Sequence, residues 1–445
     1  MTLGYQTIDR LSERLRPITD RIAARFPGES GKRQPVHTVY GGAHLFTAAT
    51  APKLGELALR ALQTYAPDAA TLRGALGMTG DTALIERVYE RVVDKLAREP
   101  VEDFRLDFED GYGNRSDEEE DGHARSAAAE VAKAATAGTA PPFIGIRVKP
   151  FSADLHRRSL RTLDLFLTTL VESSDAVPEG FVVTLPKVVD PEQVAVLDAA
   201  LTELEGGLGI SGVPCELMVE TPQSIIGDDG LTGVRRLVDA GNGRVIAAHF
   251  GTYDFTASCS ITAAYQSMTH PACDFARQVQ QVSLAGSGIW LSDGATNVMP
   301  VPVHRGDDLT AEQQEQNRRM VHGAWRLHFS DVRHSLAHGY YQGWDLHPAQ
   351  LPTRYAAVYS FFMESIEPAG ARLQAFMDQA ATATLVGEVF DDAATGQGLL
   401  NSFLRALNSG AVTEQEITDL TGLTVDELRT RSFLRILEGR RDAFG

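Results

Sequence analysis

Acidic side chains stand at the ends of two apolar runs that have the composition of buried β-strands. Glu220 ends the run CELMVE (215–220) just before a Thr-Pro turn, and Asp254 follows the run VIAAHF (245–250). Two carboxylates from neighbouring strands are typical of a Mg²⁺ site, where the hard cation fills its other positions with water and substrate oxygens. The sequence therefore predicts that Glu220 and Asp254 bind Mg²⁺, with Mn²⁺ as an alternative ion.

Other charged side chains follow further apolar runs in the same way. They are Arg147 and Lys149 after FIGIRV (143–148), Lys187 after FVVTLP (181–186), and Glu109 and Asp110 in the box LDFED (106–110). A guanidinium beside a metal can hold a carboxylate bidentately and stabilise an enolate oxygen. The candidates for moving a proton are His347, His249, Lys149 and a metal-bound water, and histidine is the usual choice near neutral pH.

Eight short β-rich runs alternate with helix-length patterns along the chain. The runs are VHTVY (36–40), FRLDF (104–108), FIGIRV (143–148), FVVTLP (181–186), ELMVE (216–220), VIAAHF (245–250), GIWLS (288–292) and GWDLH (343–347). Such alternation indicates parallel strands joined by right-handed crossovers. Eight units without a GxGxxG after the first strand favour a TIM (β/α)8 barrel over an open doubly wound sheet.

In a TIM barrel the carboxyl ends of all strands meet at one rim, which carries the chemistry. The acidic and basic residues named above would therefore converge at this rim. They could form an active site or, alternatively, an ion-pair network that only closes the barrel top. Charged residues at seven strand ends favour an active site. Asp293, after the seventh strand, is a weaker candidate because it can simply cap its own loop.

Composition excludes several classes of partner. The formal net charge of −18 opposes general affinity for nucleic acid and for anionic membranes. Three cysteines without a CxxC spacing argue against a disulfide framework and a zinc site, which favours a reducing cytoplasm. No run reaches transmembrane length and the N-terminus lacks the apolar core of a signal peptide, so we expect a cytoplasmic protein.

Two segments flank the expected barrel. An N-terminal helical arm precedes the first strand, and residues after about 360 show no strand pattern, with a helical hairpin expected over 411–428. The predicted domains are thus a catalytic TIM barrel with its arm (1–360) and a helical C-terminal appendage (361–445). Asp391 or Asp392 of the appendage could reach the barrel mouth, although a solvated turn is the more common setting for such residues.

Seven motifs, in order and in strand placement, resemble the HpcH/HpaI aldolase and citrate lyase β-subunit-like superfamily over roughly residues 36–362. They are LDFEDGYG, IRVKP, LPKV, MVETPQS, FGTYDFTAS, SDG and GWDLHPAQL. Residues 270–301 and 340–359 also closely resemble a branch of that superfamily sometimes labelled phosphoenolpyruvate kinase or aldolase. The resemblance implies Mg²⁺ at Glu220 and Asp254, Arg147 on the substrate, and Glu109 and Asp110 ordering water and arginine.

The same resemblance implies a reaction class. Members of the superfamily cleave or form a C–C bond through an enolate, act on small oxo or hydroxy acids, and commonly assemble as trimers or hexamers. The sequence departs from the relatives that use CoA in two places, since HTVYGGAH (37–44) lacks their first-strand arginine and Lys149 replaces an asparagine. These departures count against a CoA thioester substrate.

The resulting prediction is a Mg²⁺-dependent carbon-carbon lyase or aldolase that acts on a small oxo acid of the pyruvate or oxaloacetate type. One alternative is a phosphotransferase or thioester hydrolase on enolpyruvate or acyl-CoA substrates, although no P-loop is present to cradle a phosphate. Another is a non-catalytic ligand-binding subunit. A set of Glu220, Asp254 and Arg147 placed for chemistry favours the lyase.

Overall fold

The computed structural model describes residues 2–174, 176–378, 384–386, 389–391, 393–432, 435–436 and 439–440. Eight parallel strands in this part of the chain pair in sequence order, and β8 pairs with β1 to close a barrel. They are β1 (His37–Gly42), β2 (Asp103–Asp107), β3 (Phe143–Arg147), β4 (Phe181–Leu185), β5 (Cys215–Val219), β6 (Val245–Phe250), β7 (Trp290–Ala295) and β8 (Gln342–Asp345). The predicted TIM barrel is confirmed.

Helices connect the strands and surround the barrel. From the N-terminus to β5 they are α1 (Tyr5–Arg25), α2 (Thr50–Tyr65), α3 (Ala69–Leu76), α4 (Thr82–Arg98), α5 (Asp117–Ala137), α6 (His156–Ser174) and α7 (Pro191–Leu208). After β5 they are α8 (Pro222–Ile225), α9 (Gly233–Ala240), α10 (Thr252–Ser258), α11 (Pro271–Leu284), α12 (Ala311–Ala337), α13 (Leu351–Asp378), α14 (Ala393–Asn408), α15 (Glu414–Thr421) and α16 (Val425–Arg429). No described helix is both long enough and apolar enough to span a membrane.

The strands of the barrel are buried on both faces. Every residue of β2, β4 and β5 is buried, because one face lies against the surrounding helices and the other fills the barrel interior. This double burial explains why β4 and β5 read as nearly continuous apolar runs rather than as alternating ones. The interior nevertheless holds Arg105, whose guanidinium pairs with Asp103 and Glu216 at 2.7 Å each.

Strand register brings the charged strand ends together. Asp107 and Arg147 are register partners at the carboxyl ends of β2 and β3, and Val219 of β5 is the partner of Phe250 in β6. Glu220 therefore lies beside Gly251, at the start of the loop that leads into α10. A local apolar pattern in each strand thus places side chains from distant parts of the sequence at one rim.

The C-terminal segment differs in one respect from the sequence prediction. A short antiparallel pair, Thr384–Val386 with Val389–Asp391, occurs where no strand was expected. Strands of three residues are too short to show an alternating pattern, so periodicity could not reveal them. The hairpin expected over 411–428 is confirmed as α15 and α16, while α13 runs continuously through the proposed domain boundary at 360/361, and that division stays a prediction.

Candidate active site

An ammonium group lies among the carboxylates at the rim of the barrel. Lys187 Nζ forms an ion pair with Glu109 and lies 3.4 Å from Asp110 Oδ1 and 3.5 Å from Asp254 Oδ2. The backbone N–H of the same lysine donates to Glu220 Oε1 at 2.7 Å. All four acidic residues predicted for the site are therefore gathered around Lys187, which follows β4.

Glu220 is the most deeply buried of these acids. Its exposed fraction is 2 %, whereas the side chains of Asp254 and Asp110 are 44 % and 61 % exposed. Burial, together with the charge of Asp254, raises the pKa of Glu220 to about 8, although Lys187 opposes the shift. The ionised form of Glu220 is therefore unfavourable at this position, and an additional cation beside it would make that form favourable.

The donor set fits a hard divalent cation. Glu220 and Asp254 come from the ends of successive strands, and Glu109 Oε2 is buried with no hydrogen-bond partner among the described residues, although Arg147 Nη1 lies 3.1 Å away. Carboxylate oxygens with spare lone pairs are the ligands that Mg²⁺ prefers, and two of them suffice when water and substrate supply the rest. The residues present therefore suit Mg²⁺ at this rim.

Arg147 is held in one orientation by the residues around it. Its Nε and Nη2 atoms donate to Asp107 Oδ1 and Oδ2 at 2.7 and 2.5 Å, and its guanidinium lies 4.7 Å from the centre of the Tyr40 ring. Burial alone would lower the pKa of Arg147, but the negative charges and hydrogen bonds around it, chiefly those of Asp107, together have the larger effect. The pKa of Arg147 therefore lies well above its ordinary value. Because Nε and Nη2 of the guanidinium are bound to Asp107, Nη1 is the nitrogen that faces Glu109 and the site.

Lys149 and His347 make other contacts. Lys149 Nζ donates to the Phe108 carbonyl at 2.6 Å and pairs with Glu120 Oε2 at 2.8 Å, on α5. His347 begins the 3-10 turn Pro348–Gln350, where its Nδ1 accepts from the Ala349 N–H at 3.1 Å. Neither side chain hydrogen-bonds or ion-pairs with the carboxylates around Lys187 within the part of the chain that the structure describes.

Two other candidates, His249 and Asp293, are buried and bound to residues inside the protein. His249 Nε2 lies 3.0 Å from Glu216 Oε2, and the Trp344 indole N–H donates to His249 Nδ1 at 3.1 Å. Asp293 pairs with Arg277 at 3.0 Å on the outer side of β7. The side chain of Asp391, like Asp392 as a whole, lies outside the described residues.

A cluster of potential metal ligands also lies outside the barrel mouth. Ligand atoms of Asp274, His334 and His338 lie within 4.8 Å of one another, between α11 and α12. Arg277 already pairs with Asp274 at 2.6 Å, and this competing cation makes the cluster a poor cation site. None of the three residues forms a hydrogen bond or ion pair with Glu220 or Asp254 in the part of the chain that the structure describes.

Three residues at the rim have contacts that the sequence did not predict. Lys187 is expected at the rim without an assigned role, and its left-handed backbone (φ 52°), which turns its N–H toward Glu220, cannot be read from the residue types around it. Asp107 orients Arg147, and the motif LDFED placed it at a strand end. Tyr40 packs under Arg147, and its buried hydroxyl has no hydrogen-bond partner among described residues.

Substitution of Gly251 by alanine is expected to weaken divalent-cation binding. A Cβ at this position would lie 2.5 Å from both Cβ and Oε2 of Glu220, so the carboxylate must move, while the backbone angles (φ −98°, ψ 93°) suit any residue. We expect Mn²⁺ affinity, measured by calorimetry, to fall about tenfold. Gly323→Ala, which meets no atom within 4 Å, is the control, and equal affinities in the two variants would contradict the placement of Glu220 in the site.

Comparison with solved structures gives one match with a TM-score above 0.5 among those described here. A citrate lyase from Burkholderia xenovorans LB400 superposes with a TM-score of 0.55 at 20% identity, over 87% of this chain and 96% of the other. A malate synthase from Haloferax volcanii gives a TM-score of 0.46 at 14% identity over 90% and 99% of the two chains. The protein CitE from Mycobacterium tuberculosis, in complex with magnesium and acetate, gives 0.40 at 13% over 73% and 91%.

The citrate lyase shares the barrel fold that the sequence resemblance implies. No curated protein sequence matches the chain significantly. The family described as "Domain of unknown function (DUF6986)" matches residues 15–436, which is nearly the whole sequence, and the chain therefore belongs to that family.

Proposed function

We propose that the protein is a Mg²⁺-dependent carbon-carbon lyase or aldolase that acts through the enolate of a small oxo acid of the pyruvate or oxaloacetate type. The observation that carries the proposal is Glu220, a carboxylate that is 2 % exposed at the barrel rim, with a pKa raised to about 8 and Asp254 beside it. Titratable groups perturbed in this way concentrate at functional sites. Arg147 supplies the fixed positive charge that an enolate reaction needs nearby.

Glu220 and Asp254 are the residues that would hold the ion. Both follow strand ends, and the 44 % exposure of the Asp254 side chain leaves that ligand open to water and substrate. When bound there, Mg²⁺ would polarise the carbonyl group of the oxo acid and stabilise negative charge on its oxygen. Glu109 and Asp110 also contact the Lys187 ammonium, and there they can order water at the site.

Arg147 is proposed to bind the substrate carboxylate or enolate oxygen through Nη1. Asp107 fixes the guanidinium plane through two hydrogen bonds, and the Tyr40 ring supports its face, so the donor is oriented before substrate arrives. An oriented donor in a buried position stabilises developing charge more strongly than one in water. In this role Asp107 and Tyr40 are positioning residues for Arg147.

The bond changes of a retro-aldol cleavage define what the proton-transfer groups must do. A base takes the proton of the 4-hydroxyl group of a 4-hydroxy-2-oxo acid, the C3–C4 bond breaks to release an aldehyde, and its electron pair forms the enolate. A proton added to C3 then gives the 2-oxo acid. Because His347 Nδ1 accepts a hydrogen bond, its neutral ring carries the proton on Nε2, and burial lowers the pKa of His347. The ring can therefore donate a hydrogen bond to a substrate oxygen, whereas transfer of the Nε2 proton would leave an imidazolate, so water supplies the proton to C3.

The contacts of Lys149 suggest an indirect role. Its ammonium is paired with Glu120 and with the Phe108 carbonyl, so it ties the loop that carries Glu109 to α5. We therefore propose that Lys149 positions the acidic loop, and that His347 acts as a hydrogen-bond donor through Nε2. Assembly as a trimer or hexamer, and a place in the cytoplasm, stay predictions.

Hydrogen exchange on pyruvate tests the proposal directly. The protein, stripped of metal and then supplied with Mg²⁺, should exchange the methyl protons of pyruvate for deuterium in D₂O, as followed by proton NMR. Reversible enolate formation requires this exchange, whereas simple binding does not produce it. Samples without protein and samples with chelator are the controls. Absence of exchange above these controls would contradict an enolate of pyruvate at this site.

Replacement of Lys187 by methionine is expected to strengthen binding of divalent cations. The Lys187 ammonium now lies among Glu109, Asp110 and Asp254, where it repels a second cation. Without it, Mn²⁺ affinity should rise about tenfold, given Coulomb energies at these separations in a partly exposed site. Lys187→Arg retains the charge and should leave the affinity nearly unchanged. Weaker binding in the methionine variant would instead show that the ammonium holds the carboxylates in place.

A further inference from the structure

A cavity of about 320 Å³ lies at the opposite end of the barrel from Glu220. Its walls come from the loop 28–34 before β1, from residues 284–291 at the start of β7, from Tyr341 just before β8, and from α14. The amino ends of the strands form this face, so a molecule in the cavity could not touch the residues around Lys187. The volume falls at the small end of the range of ligand pockets.

One side of this cavity is apolar and aromatic. Trp290 lines it together with Leu284, Ile289 and Phe362. The rings of Tyr341 and Phe362 stack with centroids 6.1 Å apart, and Trp290 meets Phe143 edge-on at 6.0 Å. Trp290 is only half-buried, which leaves part of its ring available to a ligand.

The other side of the cavity carries positive charge. Arg405 is compensated, because it pairs with Glu29 at 2.8 Å and lies over the Tyr341 ring at 3.9 Å. Lys32 and Arg431 also line the cavity, and no carboxylate among the described residues forms an ion pair with either. Two uncompensated cations are notable in a chain whose formal net charge is −18.

The loop that carries Lys32 is shaped to admit Arg431. Gly31 has a left-handed backbone (φ 66°), and a Cβ there would lie 3.0 Å from Arg431 Cδ. The stem and Nε of Arg431 therefore pack directly on the glycine that precedes Lys32, and both cations line the cavity. Asn401 and Asn408 of α14 add amide donors and acceptors nearby.

We propose that this cavity binds a small organic anion, a carboxylate or phosphate ester, with its charged end at Lys32 and Arg431 and its apolar body against Trp290. Charge-assisted hydrogen bonds from a lysine and an arginine suit either kind of anion. An aromatic wall suits a ligand with an aromatic or aliphatic body. The site is separate from the barrel mouth, so the inference stands or falls independently of the lyase proposal.

Tryptophan fluorescence tests the binding. Phenyl phosphate and benzoate are titrated separately into the full-length protein, and at least one should give a saturable change, which also tells phosphate from carboxylate preference. Trp290→Phe should abolish that change, because Trp325 is fully buried and Trp344 lies beside His249 on the interior side. A change that survives in Trp290→Phe, or no saturable change with either probe, would overturn the proposal.

Charge variants test how the anion is held. Lys32→Gln combined with Arg431→Gln should weaken binding of the preferred anion at least about tenfold while leaving the neutral probe benzyl alcohol unaffected. Lys32→Gln alone, at an exposed position that should not disturb folding, is expected to weaken it severalfold. Lys53→Gln with Arg73→Gln removes the same charge elsewhere and should bind like the unmodified protein. Equal anion affinity in all variants would overturn the proposal.

Discussion

In Glu220→Gln protein, Mg²⁺-dependent exchange of the pyruvate methyl protons is expected to fall at least about a hundredfold. Glutamine keeps the size of the side chain and can still accept the hydrogen bond from the Lys187 N–H, which is 2.7 Å long in the native protein. It cannot supply an anionic oxygen to the cation. The loss should therefore come from the metal site rather than from the fold, and proton NMR in D₂O measures it.

A matched control and a direct metal measurement sharpen this result. Glu192→Gln makes the same change at an exposed position on α7 and should exchange pyruvate at the native rate. Mn²⁺ binding measured by calorimetry should weaken in Glu220→Gln and in Asp254→Asn. Native exchange together with native Mn²⁺ affinity in Glu220→Gln would remove this residue from the site. Lost exchange with native affinity would make it a base instead of a ligand.

Replacement of Arg105 by methionine is expected to lower the free energy of unfolding by about 3–5 kcal/mol, the usual cost of leaving buried carboxylates unpaired. Arg105 is 1% exposed inside the barrel and donates to Asp103 at 2.7 and 2.8 Å and to Glu216 at 2.7 Å. Burial already raises the pKa of Asp103 despite the arginine. Urea denaturation of the purified variant measures the change.

A surface pair provides the comparison for that experiment. Arg98 pairs with Asp94 at 2.5 Å, but the two side chains are 70% and 56% exposed. Arg98→Met should therefore cost less than about 1 kcal/mol, because solvent screens such pairs. If Arg105→Met were equally mild, Asp103 and Glu216 would have to become neutral or hydrated without penalty, and the barrel interior would not depend on its buried charges.

The structure brings several of the predicted site residues together, and their roles stay predictions. Glu109, Asp110, Arg147 and Glu220 come together at the rim because parallel strands of a barrel end on the same side, a rule that applies before any coordinates are known. Lys149 does not join them. Lys149 is two residues after Arg147, and in a continuous strand the two side chains would point to the same face. However, β3 ends at Arg147, and the following loop turns Lys149 toward Glu120 of α5.

The sequence by itself determined the eight strand-helix units, the closed barrel and the charged residues at its rim, because apolar runs, helix periodicity and strand-end motifs are local patterns that a single chain displays. Only the tertiary structure decided that Lys187 lies among the carboxylates and that Asp107 uses one edge of Arg147. It also decided that Lys32 and Arg431 share a cavity at the other end. These arrangements depend on backbone angles, strand register and contacts between residues far apart in sequence, which local patterns do not encode.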